Sequence, residues 1–246
     1  MSDEKSLKYN EPWILQRADP YVYRHTDGSY YFTASVPAYD GIVLRRAGSL
    51  AELSGAEEVM IWKKHESGPM SYHIWAPEIH YLFGKWYIYF AGGEKEDIWK
   101  IRPYVLECSG DDPLTDEWVE LGKMKRAAED EFSFEAFSLD ATVFENKSEY
   151  YYVWAEKVGV GKMISNLYIA KMESGNQLKT VQVLLTTPDY DWERKGFWVN
   201  EGPAVIHHDG KMFLTYSASE TGVDYCVGML SIDEDADILD PRLWKK

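Results

Sequence analysis

Four segments of this chain repeat one pattern at a period of about sixty residues, and a repeat of that length limits the fold to solenoids, propellers or arrays. Each segment has an acidic residue, an apolar run, a turn and an aromatic run. The first runs from Asp19 to Tyr23, turns at Asp27-Gly28 and continues from Tyr30 to Ser35. The second runs from Glu78 to Leu82, turns at Gly84-Lys85 and continues from Trp86 to Phe90. The third runs from Asp140 to Phe144, turns at Asn146-Lys147 and continues from Tyr150 to Trp154. The fourth runs from Glu201 to Ile206, turns at Asp209-Gly210 and continues from Met212 to Ser217. The acidic positions 19, 78, 140 and 201 are separated by 59, 62 and 61 residues.

Two short apolar runs joined by a Gly- or Asn-containing turn read as a β-hairpin. Further strands follow, at Gly41–Arg46 and Asn166–Lys171. No sustained 3.6-residue periodicity is present, which predicts little helix. Repeated four-stranded antiparallel units imply an all-β chain, a β-propeller whose innermost strands converge on a central channel. An acidic residue opening the first strand of each unit then places four carboxylates around one mouth of that channel. Asp and Asn are also ordinary turn residues ahead of strands. That explanation suits one position better than four in phase.

The formal net charge of −15 argues against nucleic acid and anionic membranes as partners and admits a neutral substrate such as a sugar. Aromatic residues make up 15% of the chain, enough for sheet packing and for rings that stack on a sugar face. The acidic stretch from Asp111 to Glu135 reads as solvated rim. Cys108 and Cys226 form neither a disulfide framework nor a zinc pattern and read as two buried thiols. The amino-terminal stretch to Trp13 lacks the apolar run of a secretory leader, and no run nears the roughly 18 apolar residues of a membrane span. As encoded, the chain reads as cytoplasmic, or as extracellular where a leader has been removed.

Carboxyl groups around an aromatic-lined pocket supply the parts of glycosidic cleavage: an acid for the leaving oxygen, and a base or nucleophile opposite it. A third carboxylate can raise the acid's pKa. Periodicity alone does not assign these roles. The segments Ala18-Asp19-Pro20, Trp75 to His80, Ser138 to Thr142 and Val199 to Pro203 resemble glycoside hydrolase family 43, above all its exo-acting α-L-arabinofuranosidases. The likeness extends from Trp13 to Trp244. It implies a single β-propeller catalytic domain over residues 1–246, of the family's five-bladed type, with inverting chemistry. By that resemblance Asp19 is the general base, Glu201 the general acid, and Asp140 the residue that raises and orients the acid. Trp75 stacks on the sugar or packs in the core; Glu78 holds sugar hydroxyls or a neighbouring side chain. Ser35, Phe32 and Asn200 are further pocket candidates. His73 and His80 read as structural, and His207 and His208 as surface residues beside a turn.

The sequence departs from the family after the fourth unit. A fifth blade with a Gly-His-Asn segment, whose histidine lies beside a cation on the axis, is absent from these 246 residues. No cofactor is therefore required by the reading, and a calcium ion in the channel is left open. About four blades are expected, C-terminally truncated relative to the family, with either closer packing or a homo-oligomer formed through the open side. The expected activity is release of terminal α-L-arabinofuranose from arabinan or arabinoxylan oligosaccharides. The alternatives are a β-xylosidase on the same scaffold and a sugar-binding propeller without catalysis. A fructan-acting propeller is disfavoured, since Ala18-Asp19-Pro20 and Glu107-Cys108-Ser109 stand in place of its Asn-Asp-Pro and Glu-Cys-Pro.

Overall fold

The computed structural model describes residues 12–158 and 164–246. Residues 1–11 of the amino-terminal stretch searched for a leader lie outside them. Four antiparallel sheets follow one another in chain order. The first holds β1 (Ala18–Arg24), β2 (Tyr30–Ser35), β3 (Gly41–Ala47) and β4 (Val59–Lys63). The second holds β5 (Tyr72–Leu82), β6 (Lys85–Glu94), β7 (Asp97–Cys108) and β8 (Trp118–Lys123). The third holds β9 (Ser138–Asn146), β10 (Glu149–Val158) and β11 (Ile164–Ser174), with the short β12 (Gln177–Leu178) and β13 (Val183–Thr186) both paired to β11. The fourth holds β14 (Asn200–His208), β15 (Lys211–Ala218) and β16 (Cys226–Asp233). Helix among the described residues is limited to 3-10 turns at Leu50–Gly55, Asp191–Glu193 and Pro241–Leu243.

The sheets are the blades of a β-propeller. The innermost strands pack in series, β1 against β5, β5 against β9 and β9 against β14. Aromatic and β-branched residues alternate along each strand, so each blade presents an apolar face to its neighbour. Tyr31, Trp86 and Ile88 fill the space between the first two blades. Tyr89, Tyr152 and Trp154 fill the next, and Val153, Leu214 and Tyr216 the third. The far face of the fourth blade is different. Ile206, Val227 and Met229 project from it, 55%, 73% and 51% exposed.

The inner hairpins of the last three blades close through two-residue turns with positive φ at both positions: Phe83-Gly84, Lys147-Ser148 and Asp209-Gly210. Such turns match the twist of the strands they join. Two of them sit one residue away from the expected sites, at Phe83-Gly84 rather than Gly84-Lys85 and at Lys147-Ser148 rather than Asn146-Lys147. The acidic stretch from Asp111 to Glu135 is also not all rim. Strand β8 runs through it, and Asp130 within it is buried, accepting bonds from the backbone N–H groups of Phe132, Ser133 and Gln182. Cys108 is buried, but Cys226 is only half-buried, with its Sγ near the carbonyls of Trp192 and Ala218.

Candidate active site

Each innermost strand carries the same irregularity. Ala18 to Tyr21 in β1, Trp75 to Glu78 in β5, Leu139 to Thr142 in β9 and Glu201 to Ala204 in β14 each advance three residues against two on the partner strand. This is a β-bulge, which bends a strand and re-aims its side chains. In every blade one bulge residue lies in the left-handed region: Asp19 at φ 49°, Ala76 at 45°, Asp140 at 50° and Gly202 at 56°. Those four positions are the structural equivalents. The acidic residues are not in phase with them. Asp19 and Asp140 occupy the bulge position, Glu78 comes two residues after it, and Glu201 one residue before it. The near-constant spacing of the four acids thus conceals three different places on the strand.

Side chains alternate along a strand, so this offset decides where each carboxyl points. Asp19, Asp140 and Glu78 line a cavity of about 420 Å³ on the axis, beside Tyr21, Ala76 and Gly202. Glu201, like Trp75 and Leu139 at the same position before the bulge, lines a neighbouring cavity of about 560 Å³ that also holds Trp99, Phe197 and Lys157. Tyr225, from the first cavity, donates its hydroxyl to Glu201 Oε1 at 2.9 Å and so ties the two cavities together.

The carboxyls differ in their surroundings. Asp19 is exposed to the cavity and accepts a 2.7 Å bond at Oδ2 from the Ser35 hydroxyl. Ser35 Oγ in turn accepts from the backbone N–H of Ala76 at 2.8 Å, which joins the first bulge to the second. Asp140 Oδ2 accepts from the backbone N–H of Gly202 at 3.1 Å, joining the third bulge to the fourth. Burial, with the facing charges of Glu201 and Asp19, pushes Asp140 well above the usual carboxylate range. Burial also pushes Glu201 up, helped by Asp19 and opposed by the Tyr225 hydroxyl and Lys157. Two such groups titrate as a pair, and the pair keeps a proton to higher pH than isolated carboxyls would. Glu78 is raised by burial and held by His80, whose Nε2 lies 2.9 Å from Glu78 Oε2. His80 is itself buried, with its Nδ1 3.5 Å from the Tyr21 hydroxyl.

The remaining expectations divide. Trp75 is half-buried, in the second cavity, with ring centroids 4.2 Å from His73 and 6.4 Å from Trp99. Ser35 reaches the site through Asp19 rather than through open cavity wall. Phe32 is a correction. It is buried with Ala34 and Leu53 on the face of the first blade turned from the second, because its place in β2 directs it away from the channel. Asn200 is a second correction. It is fully buried, and its amide donates to Glu193 Oε1 and the Val199 carbonyl, so it braces the strand that carries Glu201. His207 and His208 are exposed beside the β14–β15 turn.

Tyr21 and His80 were findable, since each lies two residues along the strand from an acid already identified. Trp99, Phe197 and Tyr225 were not, because they come from an outer strand and from loops that no repeat marks; Lys157 lies on β10, three residues past the repeated run that ends at Trp154. Among the described residues no group of three or more His, Cys, Asp or Glu side chains is arranged to hold a metal ion.

A family model described as Glycosyl hydrolases family 43 matches residues 9–246. The chain is 47% identical over 238 residues to an extracellular exo-α-(1→5)-L-arabinofuranosidase of Streptomyces chartreusis, covering 97% of this chain and 71% of that protein. A protein of the same name from Streptomyces avermitilis is 47% identical over 241 residues, covering 98% of this chain but 49% of the relative. Against the second of these relatives the chain therefore spans about half the length. The crystal structure of an α-L-arabinofuranosidase from Lactobacillus brevis superposes with a TM-score of 0.87 at 52% identity, covering 96% of this chain and 73% of that one.

Proposed function

This chain belongs to glycosyl hydrolases family 43, and we propose that it is an inverting exo-α-L-arabinofuranosidase acting on arabinan or arabinoxylan oligosaccharides. One observation carries the reading. Asp19 and Glu201 border two adjoining cavities, with the raised Asp140 between their strands. The smaller cavity takes the terminal sugar and the larger takes the leaving group. The names of the relatives support arabinofuranose as the sugar.

In this mechanism Asp19, exposed and held by Ser35, accepts a proton from water as the water oxygen bonds to the anomeric carbon. The glycosidic C–O bond breaks on the opposite face. Glu201 gives its proton to the departing oxygen, so the leaving group departs as an alcohol. Asp19 ends protonated and Glu201 ionised, and exchange with solvent restores both. Asp140 serves by keeping a proton within the Asp140–Glu201 pair to higher pH than isolated carboxyls would and, through the Gly202 N–H, by fixing the bulge that orients Glu201. Trp75, Trp99 and Phe197 offer flat apolar faces to the leaving sugar. Two relatives are named extracellular, which favours the same place of action for this chain.

The test is incubation of the protein with α-(1→5)-linked arabinotriose, followed by proton NMR. The expected first product is arabinose of inverted anomeric configuration, with arabinobiose. Retained configuration would remove the assigned roles. Turnover of an aryl β-xyloside but not of an aryl arabinofuranoside would move the activity to a xylosidase. Saturable binding of arabinotriose with no product would make the protein a sugar-binding propeller.

A further inference from the structure

The segment between β15 and β16 runs along the boundary of the two cavities. Glu220 and Thr221 line the larger, while Tyr225, at its end, lines the smaller. The Tyr225 hydroxyl donates to Glu201 Oε1 at 2.9 Å, the one hydrogen bond that the Glu201 carboxyl makes among the described residues. Ser217 on β15 lines the smaller cavity beside the same phenol. Oε1 is thereby occupied and Oε2 is left without a partner among the described residues.

We infer that Tyr225 is a positioning residue for Glu201, its O–H fixing Oε1 so that Oε2 delivers the proton to the departing oxygen. This rests on the reading of Glu201 as the general acid. A neutral O–H donor stabilises a carboxylate more than a carboxylic acid. Its bond to Oε1 therefore strengthens as Glu201 gives up its proton, an interaction greater in the transition state than in the ground state. The other charged groups around Glu201 are Asp19 on β1, Asp140 on β9, Lys157 on β10 and Glu220 on the same loop. Asp19 and Asp140 oppose ionisation of Glu201, and Tyr225 and Lys157 favour it. The phenol adds a direction that Lys157, which lies 3.8 Å above the Phe137 ring, does not supply.

Tyr225→Phe keeps the ring and removes only the donor. On arabinotriose, kcat should fall about tenfold with KM little changed, as for loss of one hydrogen bond to a developing charge. A 4-nitrophenyl arabinofuranoside, whose leaving group needs less protonation, should lose less. The basic limb of the kcat profile should move to higher pH. A second readout needs no turnover: the Glu201 carboxyl followed by carbon-13 NMR should titrate at higher pH in Tyr225→Phe than in the parent. An unmoved Glu201 titration and an unmoved basic limb would overturn the inference, whatever happened to KM. Glu201→Gln separates this from the underlying reading. If it turns over both substrates like the parent, the acid assignment fails and the inference falls with it. If it loses arabinotriose turnover while Tyr225→Phe behaves as the parent, only the inference fails.

Discussion

At the level of one side chain, Asp140 sets the proposed function against stability. Its folded-state pKa is raised, by burial first and then by the charges of Glu201 and Asp19. A carboxyl with a raised folded pKa supports folding fully at pH below its unfolded value and loses that support as pH climbs through the folded value. At neutral pH, above the unfolded value, the raised Asp140 therefore opposes folding. Asp140→Asn keeps an oxygen for the Gly202 N–H and removes the charge. The expectation is a variant with turnover reduced about a hundredfold or more and a higher melting temperature than the parent at neutral and mildly alkaline pH. That stability gain should shrink as pH is lowered, and vanish in acid. Melting curves across pH check it; a variant that melts below the parent at every pH would contradict the stated balance of charges.

The decisive element is the bulge repeated in the four innermost strands. A regular strand would send every second residue of the Asp19, Glu78, Asp140 and Glu201 segments to one face. The extra residue breaks that alternation near the channel mouth and lets one carboxyl face the neighbouring cavity. Three of the four left-handed positions hold Asp19, Ala76 and Asp140, so the conformation is borne by residues with a Cβ. Gly202 is the fourth, at φ 56°, and a Cβ there would meet Ser217 Oγ at 3.4 Å and Asp140 Oδ2 at 4.0 Å, which are ordinary contacts. The cost of Gly202→Ala is then backbone strain alone, about 1–2 kcal/mol. Urea denaturation should show a loss of that size with the Gly202 N–H still bonded to Asp140 and much of the activity kept. A loss above about 4 kcal/mol would mean that the bulge tolerates only glycine.

At the scale of the molecule, burial is uneven. Three inter-blade spaces are filled with aromatic and aliphatic side chains, while Ile206, Val227 and Met229 stand exposed on the far face of the fourth blade. Apolar area gains about 25 cal/mol per Å² on leaving water, and stable interfaces bury roughly 1,200–2,000 Å² in total. The expected outcome is association of two copies through this face at micromolar concentration. Light scattering should show mass rising with concentration, and Val227→Lys with Met229→Lys should return the protein to a monomer. A parent protein that stays monomeric over the whole range would exclude self-association through this blade.

The period of about sixty residues and the alternation of apolar and aromatic runs were enough to read four blades and their inner hairpins, because strand and turn propensities are local; the four-stranded count was not general, since the third sheet has five strands and the fourth has three. The identity of the blade-opening acids was legible for the same reason: Asp19, Asp140 and Glu201 lie on repeated strands. What each of them faces was not. An offset of one or two residues from a bulge is invisible in spacings of 59, 62 and 61, yet it places Glu201 in a different cavity from Asp19 and Asp140. Phe32 and Asn200 looked like pocket residues by neighbourhood in the chain and are buried braces by the direction of their strands. Tyr225, Trp99 and Lys157 come from separate blades and loops, and only packing of those blades brings them to the acid. Local sequence determines which strands form; the tertiary structure decides which side chains share a cavity, since that depends on register and on contacts between residues far apart in the chain.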